Sequence, residues 1–282
     1  MTSAPVPSPV RVPATNRVAL HRDHRHRTPP FGTARPPVVR RAEAESAANS
    51  DPEGDPPVQN NTHLASTDEV TEEWRQRARR DGLARVMRAS QPAEHNADTT
   101  ERTRKAVAEG LRTAARELSR PLATALEVGC GIGRLTPTVA AHADHVTALD
   151  MTPGMLEAAR ESCADLTNVD FELARAENLP WNGRKFDVAV SVWVLMHVLD
   201  EEALTRICRS ISRSCHYFVL VEYAEAAIPV SEWSRLRSAD DYLALMPGAQ
   251  LVETKELDHG GDRSTAALIR FPSAIESRAR KN

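Results

Sequence analysis

The segment Leu126-Glu127-Val128-Gly129-Cys130-Gly131-Ile132-Gly133 places three glycines at alternate positions between an apolar run and the start of a helical pattern. Glycine is required where a ligand must approach the backbone more closely than a Cβ permits. Asp150 stands 21 residues beyond Gly129 and ends the next apolar run. A carboxylate there lies beside the loop and can accept hydrogen bonds from ribose hydroxyls. Glu127, two residues ahead of the first glycine, brings a second negative charge. The dinucleotide loop spaces its glycines G-x-G-x-x-G to seat a pyrophosphate, but here Arg134 occupies that third-glycine position. A carboxylate near the loop suits a ligand carrying an ammonium group better than one carrying two phosphates. These residues describe an adenosine-containing ligand bound outside the carboxyl ends of the strands.

Two further groups could act on a second reactant. His197 follows the apolar run Phe186–Val192, at the ligand-facing end of the expected sheet. It reads either as a general base or as a core histidine satisfied by a backbone carbonyl. Glu222, with Tyr223 after it, ends the run from Tyr217 and is the second acceptor-side candidate; Glu225 ranks below both. Trp193 and Trp233 are candidate pocket walls, while His259 falls in a turn sequence and reads as exposed and idle. Cys130 lacks a neighbouring base and reads as a small loop residue rather than a nucleophile.

The elements that must position these groups alternate. Strands are predicted at Ala123–Val128, His145–Asp150, Val169–Ala174, Phe186–Val192 and Tyr217–Glu222, with helices between them. Near-continuous apolar runs such as Phe218-Val219-Leu220-Val221 suit strands covered on both faces. The pattern is that of βαβ units in a mostly parallel sheet. Leu251–Leu257 and Thr265–Arg270 flank His259-Gly260-Gly261-Asp262, which predicts an antiparallel hairpin at the end. Ahead of the first strand, Ser66-Thr67-Asp68-Glu69 and Asp98-Thr99-Thr100-Glu101 each read as a capping box opening a helix. Thr152, before Pro153, reads as another N-cap.

Composition divides the 282 residues unevenly. Residues 1–66 hold 11 of the 19 prolines and one aromatic, too little apolar surface to offset chain entropy, so they read as a disordered tail. Its histidines His21, His24 and His26 read as solvated rather than metal-bound. Residues 67–282 form the folded domain, with a net charge of −5 that disfavours a nucleic-acid substrate. No run is long enough to span a membrane. The four cysteines show no C-x-x-C spacing, and no apolar leader opens the chain; both point to reduced thiols in the cytoplasm.

The loop reads E-x-G-x-G-x-G, and in this the chain resembles the class I S-adenosylmethionine-dependent methyltransferases, whose first motif has that form. The stretch from Val146 to Leu156 is similar to the family's second motif, Ala174–Trp181 to its adenine-edge segment, and Phe186–Val198 to its fourth-strand motif. The resemblance covers about residues 99–271. It implies a doubly wound, mostly parallel seven-stranded Rossmann-like sheet with an antiparallel C-terminal hairpin, and S-adenosyl-L-methionine as cofactor. It implies cofactor contacts from Glu127, Gly129, Cys130, Gly131, Gly133, Asp150, Met151, Ala176, Glu177 and Ser191. Met151 would cover one adenine face, and the Ala176 backbone would meet the adenine edge. Arg175 departs from the family's usual aspartate and cannot accept a hydrogen bond from the adenine amine.

The expected activity is methyl transfer to an O or N atom of a small molecule such as a natural-product intermediate. His197 and Glu222 would serve on the acceptor side. Residues 67–97 would form a helical lid and 224–247 an acceptor-shaping insertion. The motifs of adenine-amino and cytosine-C5 methylation are absent after the fourth strand. Two other readings stay open: a catalytically silent methyltransferase-like binding protein, kept alive by Arg175, and a nicotinamide-dependent oxidoreductase, opposed by the Arg134 spacing.

Overall fold

The computed structural model describes residues 63–88, 90–178, 183–226 and 230–272. The tail reading for residues 1–62 and the segment Leu179-Pro180-Trp181 lie outside the described residues. Seven strands form one sheet in the order β3-β2-β1-β4-β5-β7-β6. They are β1 Leu122–Val128, β2 Ala143–Asp150, β3 Val169–Leu173, β4 Phe186–Val192, β5 Cys215–Glu225, β6 Gln250–Asp258 and β7 Arg263–Arg270. The first five run parallel, while β7 is antiparallel to both β5 and β6. The chain order reverses between β1 and β4, and a crevice opens beyond the carboxyl ends of those two strands, where open α/β sheets bind ligands.

Helices cover both faces. On one lie α2 (Ala93–Leu118), α3 (Thr136–Ala140) and α4 (Pro153–Ser162), whose Val107, Leu111, Val139, Leu156 and Ala159 join Val146, Val188 and Val219 in one core. On the other, α5 (Glu201–Ser214) sets Leu204, Ile207, Cys208 and Ile211 along one stripe against Phe218 and Leu220. Asp200 accepts the Ala203 N–H at 2.6 Å and fixes where α5 starts. Tyr242 of the short α6 (Ala239–Ala244) completes this second core. Among the described residues no helix is long and apolar enough to cross a membrane, and no three His, Cys, Asp or Glu side chains group as metal ligands. All four cysteines are buried and unbridged.

The Ser66 capping box forms, with the Ser66 side chain accepting from Glu69 N–H and Glu69 returning to the Ser66 N–H at 2.8 Å, and it opens α1 (Thr67–Arg77). The Asp98 box does not. α2 begins five residues earlier, after Pro92, and Asp98 sits inside it, paired with Arg102 at 2.7 Å. The same four-residue pattern satisfies a helix interior when its acid finds a cation one turn on. Thr152 occupies the N-cap position of α4 without a side-chain cap bond, and its N–H donates to Asp150 at 2.8 Å.

Gly133 has a positive φ of 77°, and a Cβ there would stand 2.8 Å from Cys163 Sγ and 3.3 Å from the Ala159 backbone. We expect Gly133→Ala to lower unfolding free energy by about 2–4 kcal/mol, combining left-handed strain with overpacking. Urea denaturation measures this; a loss under 1 kcal/mol would contradict it.

Candidate active site

β1 ends at Val128, and the chain turns through Gly129 and Gly131, both at positive φ, 70° and 56°. A Cβ on Gly129 would fall 2.5 Å from Val194 Cγ2, and one on Gly131 would fall 2.9 Å from Val86 Cγ1. The loop is thus closed from one side by the turn after β4 and from above by the segment after α1. The cavity it borders is lined by Glu127, Gly129, Cys130, Gly131, Asp150 and Met151, and further round by Ala176, Glu177 and His197. Thr67, Val70, Thr71 and Trp74 of α1 form its roof.

Asp150 anchors the floor. One carboxylate oxygen accepts the Gly131 N–H at 3.0 Å and the other the Thr152 N–H at 2.8 Å. It lines the cavity as an acceptor-only group able to receive ribose hydroxyls. Burial raises its pKa, while the Thr152 and Gly131 bonds act against that. Glu127, buried beneath the loop, accepts from Thr136 Oγ1 at 2.7 Å. Burial pushes its pKa up to about 7, with Thr136 and then Arg134 opposing.

Arg134 lines the cavity, a placement the spacing alone does not give. Its guanidinium lies 4.8 Å from the Trp193 ring centroid and reaches Thr100 Oγ1 at 3.4 Å. It lines the cavity, its pKa is pulled down to about 10 by burial, and among the described residues it has no carboxylate ion-pair partner. An arginine directly after the last loop glycine was the available signal. Arg175, the other cavity cation, is engaged with Glu177 at 2.9 Å and Thr71 at 3.1 Å, tying the adenine-edge segment to α1.

His197 sits in the short turn Leu195–His197 that follows β4. Its Nδ1 lies 2.8 Å from the Trp233 carbonyl and 3.1 Å from Ser234 Oγ. Only a donor can meet a carbonyl, so the proton belongs on Nδ1 and Nε2 carries the lone pair. Trp74 meets the ring edge-on at 4.9 Å. Burial drives its pKa down to about 4 against the Trp233 bond, and the ring is neutral at physiological pH. Because this lies below the ordinary 6.5, the unfolded chain takes up the proton first as pH falls, and stability is lost from pH 6.5 downward. Between pH 7.5 and 4.5 wild type should lose roughly 2–3 kcal/mol more than His197→Gln. Denaturant titrations at both pH values test this, and an equal loss in the two proteins would contradict it.

Several expected roles are corrected. Ser191 is buried with its hydroxyl unpartnered and does not reach the cavity; Val190 and Val192, one residue either side on β4, face it instead. Gly133 contacts α4 rather than the cavity. Glu222 is absent from the lining, its carboxylate accepting the backbone N–H groups of Val194, Leu195 and Met196 at 3.1, 2.8 and 3.3 Å. Glu225 is paired with Arg263. The insertion after β5 supplies none of the cavity-lining residues among those described, and Trp233 contributes its carbonyl rather than a wall.

Trp193 does line the cavity, at a left-handed φ of 55°. Its indole donates to Ser264 Oγ at 3.1 Å and stacks on Tyr223 at 5.1 Å. A bulky side chain in that backbone region is costly and marks functional ground. His259 is 3 % exposed and packs edge-on against Trp193, so it is not exposed as expected. The turn folds back over the end of β5, which hairpin periodicity does not reveal.

Sheet order, glycine loop and the carboxylate at the end of β2 define a doubly wound α/β domain with a crevice at its switch point. Known proteins share parts of this arrangement. The family described as "Methyltransferase domain" matches residues 125–216. Nodulation protein S of Rhizobium tropici is 24% identical over 162 residues, covering 56% of this chain and 66% of that protein. A ubiquinone biosynthesis O-methyltransferase of Methylocella silvestris is 33% identical over 89 residues, covering 31% of this chain and 35% of that protein. The chain thus spans about two thirds or less of these relatives' length. The N-methyltransferase NodS from Bradyrhizobium japonicum WM9, solved with S-adenosyl-L-homocysteine, superposes with a TM-score of 0.57 at 16% identity, over 72% of this chain and 99% of that one. Residues 125–216 thus match a methyltransferase domain, and the chain shares the fold of a solved N-methyltransferase.

Proposed function

We propose that this protein binds S-adenosyl-L-methionine in the cavity beyond β1 and β2 and transfers its methyl group to an O or N atom of a small molecule, such as a natural-product intermediate. The observation that carries the reading is the Asp150 carboxylate, bonded to the Gly131 N–H and presented on the cavity lining. Asp150 takes the ribose hydroxyls, Met151 lies along the adenine, and the Ala176 backbone with Glu177 borders its edge. Glu127, which ionises as an ammonium approaches, and the Arg134 cation flank the loop, matching the ammonium and carboxylate of an amino-acid end. The residues present therefore fit the cofactor. When bound, its sulfonium supplies an electrophilic methyl carbon.

The chain's own work is to position, to exclude water and to hold a proton acceptor. α1 roofs the cavity, and orientation of two reactants can be worth effective molarities of roughly 10⁵ M or more. His197, fixed as the Nδ1–H tautomer, offers Nε2 to the acceptor's proton. Its depressed pKa keeps it unprotonated at neutral pH, at the expense of basicity. The relatives named above support a small-molecule acceptor, as does the acidic balance of residues 67–282. The unbridged thiols are in keeping with a cytoplasmic setting. Incubation with methyl-labelled cofactor and fractionated host extract tests the reading. Label should enter the low-molecular-mass fraction. Label confined to protein or nucleic acid contradicts the acceptor class, and no transfer at all favours a silent binding protein.

A further inference from the structure

Glu222 and Arg237 meet the turn that carries His197 from opposite sides. Glu222 leaves the end of β5 and accepts three successive backbone N–H groups, from Val194, Leu195 and Met196. Arg237 takes the carbonyl side, donating to Leu195 O at 3.5 Å and Val198 O at 3.2 Å, and it is held in turn by Glu201 at 2.8 Å. The Arg235 N–H adds a bond to Met196 O at 2.8 Å. Glu222 and Arg237 are 3 % and 8 % exposed. Trp233 and Ser234, which bond the imidazole itself, belong to the same stretch of chain as Arg237. The polar bonds that fix the ring and its turn therefore come mainly from Glu222 and residues 233–237.

We propose that Glu222 and Arg237 are positioning residues that clamp the Val194–Val198 turn and so fix the tautomer and place of His197. The insertion between β5 and β6 then serves the base rather than the acceptor's outline. This rests on the reading of His197 as the acceptor-side base, since neither clamp residue touches the cavity. Three consecutive N–H groups aimed at one point form an anion-binding concavity. A carboxylate meets it with acceptors only. A carboxamide has one acceptor oxygen, and its NH₂ would oppose a backbone donor. Buried ionic groups are weak sources of stability, so their retention here is explained better by what they hold in place. Leaving one partner of such a network unsatisfied loosens the turn without touching the glycine loop or Asp150.

The test is nitrogen-15 NMR of the His197 ring in wild type, Glu222→Gln and Arg237→Lys, with calorimetric S-adenosyl-L-homocysteine affinity on the same samples. Wild type should show one tautomer, protonated at Nδ1, and remain neutral until about pH 4. In a folded variant the ring should sample both tautomers and its midpoint should move toward 6.5 by at least one pH unit. Affinity for S-adenosyl-L-homocysteine should stay within about threefold, because Asp150, Glu127 and the loop are untouched. Unchanged ring tautomer and midpoint in the folded variants would overturn the proposal. Unfolding of both variants would overturn it too, assigning the pair to stability alone. Failure of wild type to bind S-adenosyl-L-homocysteine would count against the cofactor reading and leave the ring measurements to decide the clamp.

Discussion

Asp150→Ala should weaken S-adenosyl-L-homocysteine binding by on the order of 10²–10⁴-fold while the sheet stays folded. Two hydrogen bonds from ribose hydroxyls to an ionised carboxylate contribute about 1.5–3 kcal/mol each, which is the source of that range. The same substitution removes the acceptor of the Gly131 N–H at 3.0 Å, so the loop loses its tie to β2 as well. Both effects act in one direction. Asp150→Asn separates them: it keeps an acceptor for one N–H yet loses the charge, and should fall between alanine and wild type. Isothermal calorimetry on the three proteins measures the ordering. An alanine variant binding within threefold of wild type would contradict the assignment.

His197→Ala should lower methyl-transfer turnover by about 10²–10⁴-fold, the usual worth of a placed general base, with cofactor affinity within about threefold of wild type. The separation follows from position. His197 sits on the turn after β4 and bonds the Trp233 carbonyl, whereas Asp150 and Glu127 lie at the ends of β2 and β1. Turnover measured on the acceptor recovered by label transfer decides it. Unchanged turnover would mean that the acceptor reacts without losing a proton on attack.

How far the sequence reaches is clearest residue by residue. The strands were readable because both faces of the central sheet are covered, and their apolar runs admit no other element. The Gly129–Gly131 turn and Asp150 were readable because positive φ and a strand-end carboxylate leave marks in residue type and spacing. Ser191 was misread because facing is set by the pleat: one step along β4 turns a cavity residue into a core one. Glu222 looked reactive from its place at a strand end. Its three backbone donors come from 26 to 28 residues earlier in the chain, a partnership that only the folded register creates. His259 was misjudged for a similar reason, since the rings it meets belong to β5 and to the residue after β4. Arg134 carried a signal in its position but none in its partners, because Trp193 approaches through a left-handed backbone that no propensity anticipates.

The central claim is that the crevice beyond β1 and β2 holds an adenosine-linked amino acid. Calorimetric titration of the 282-residue chain with S-adenosyl-L-homocysteine, with adenosine and with NADH addresses it most directly. The account predicts one saturable site for S-adenosyl-L-homocysteine, weaker binding of adenosine for want of the Glu127 and Arg134 contacts, and no competition from NADH. Saturable binding of NADH with no uptake of S-adenosyl-L-homocysteine would contradict it.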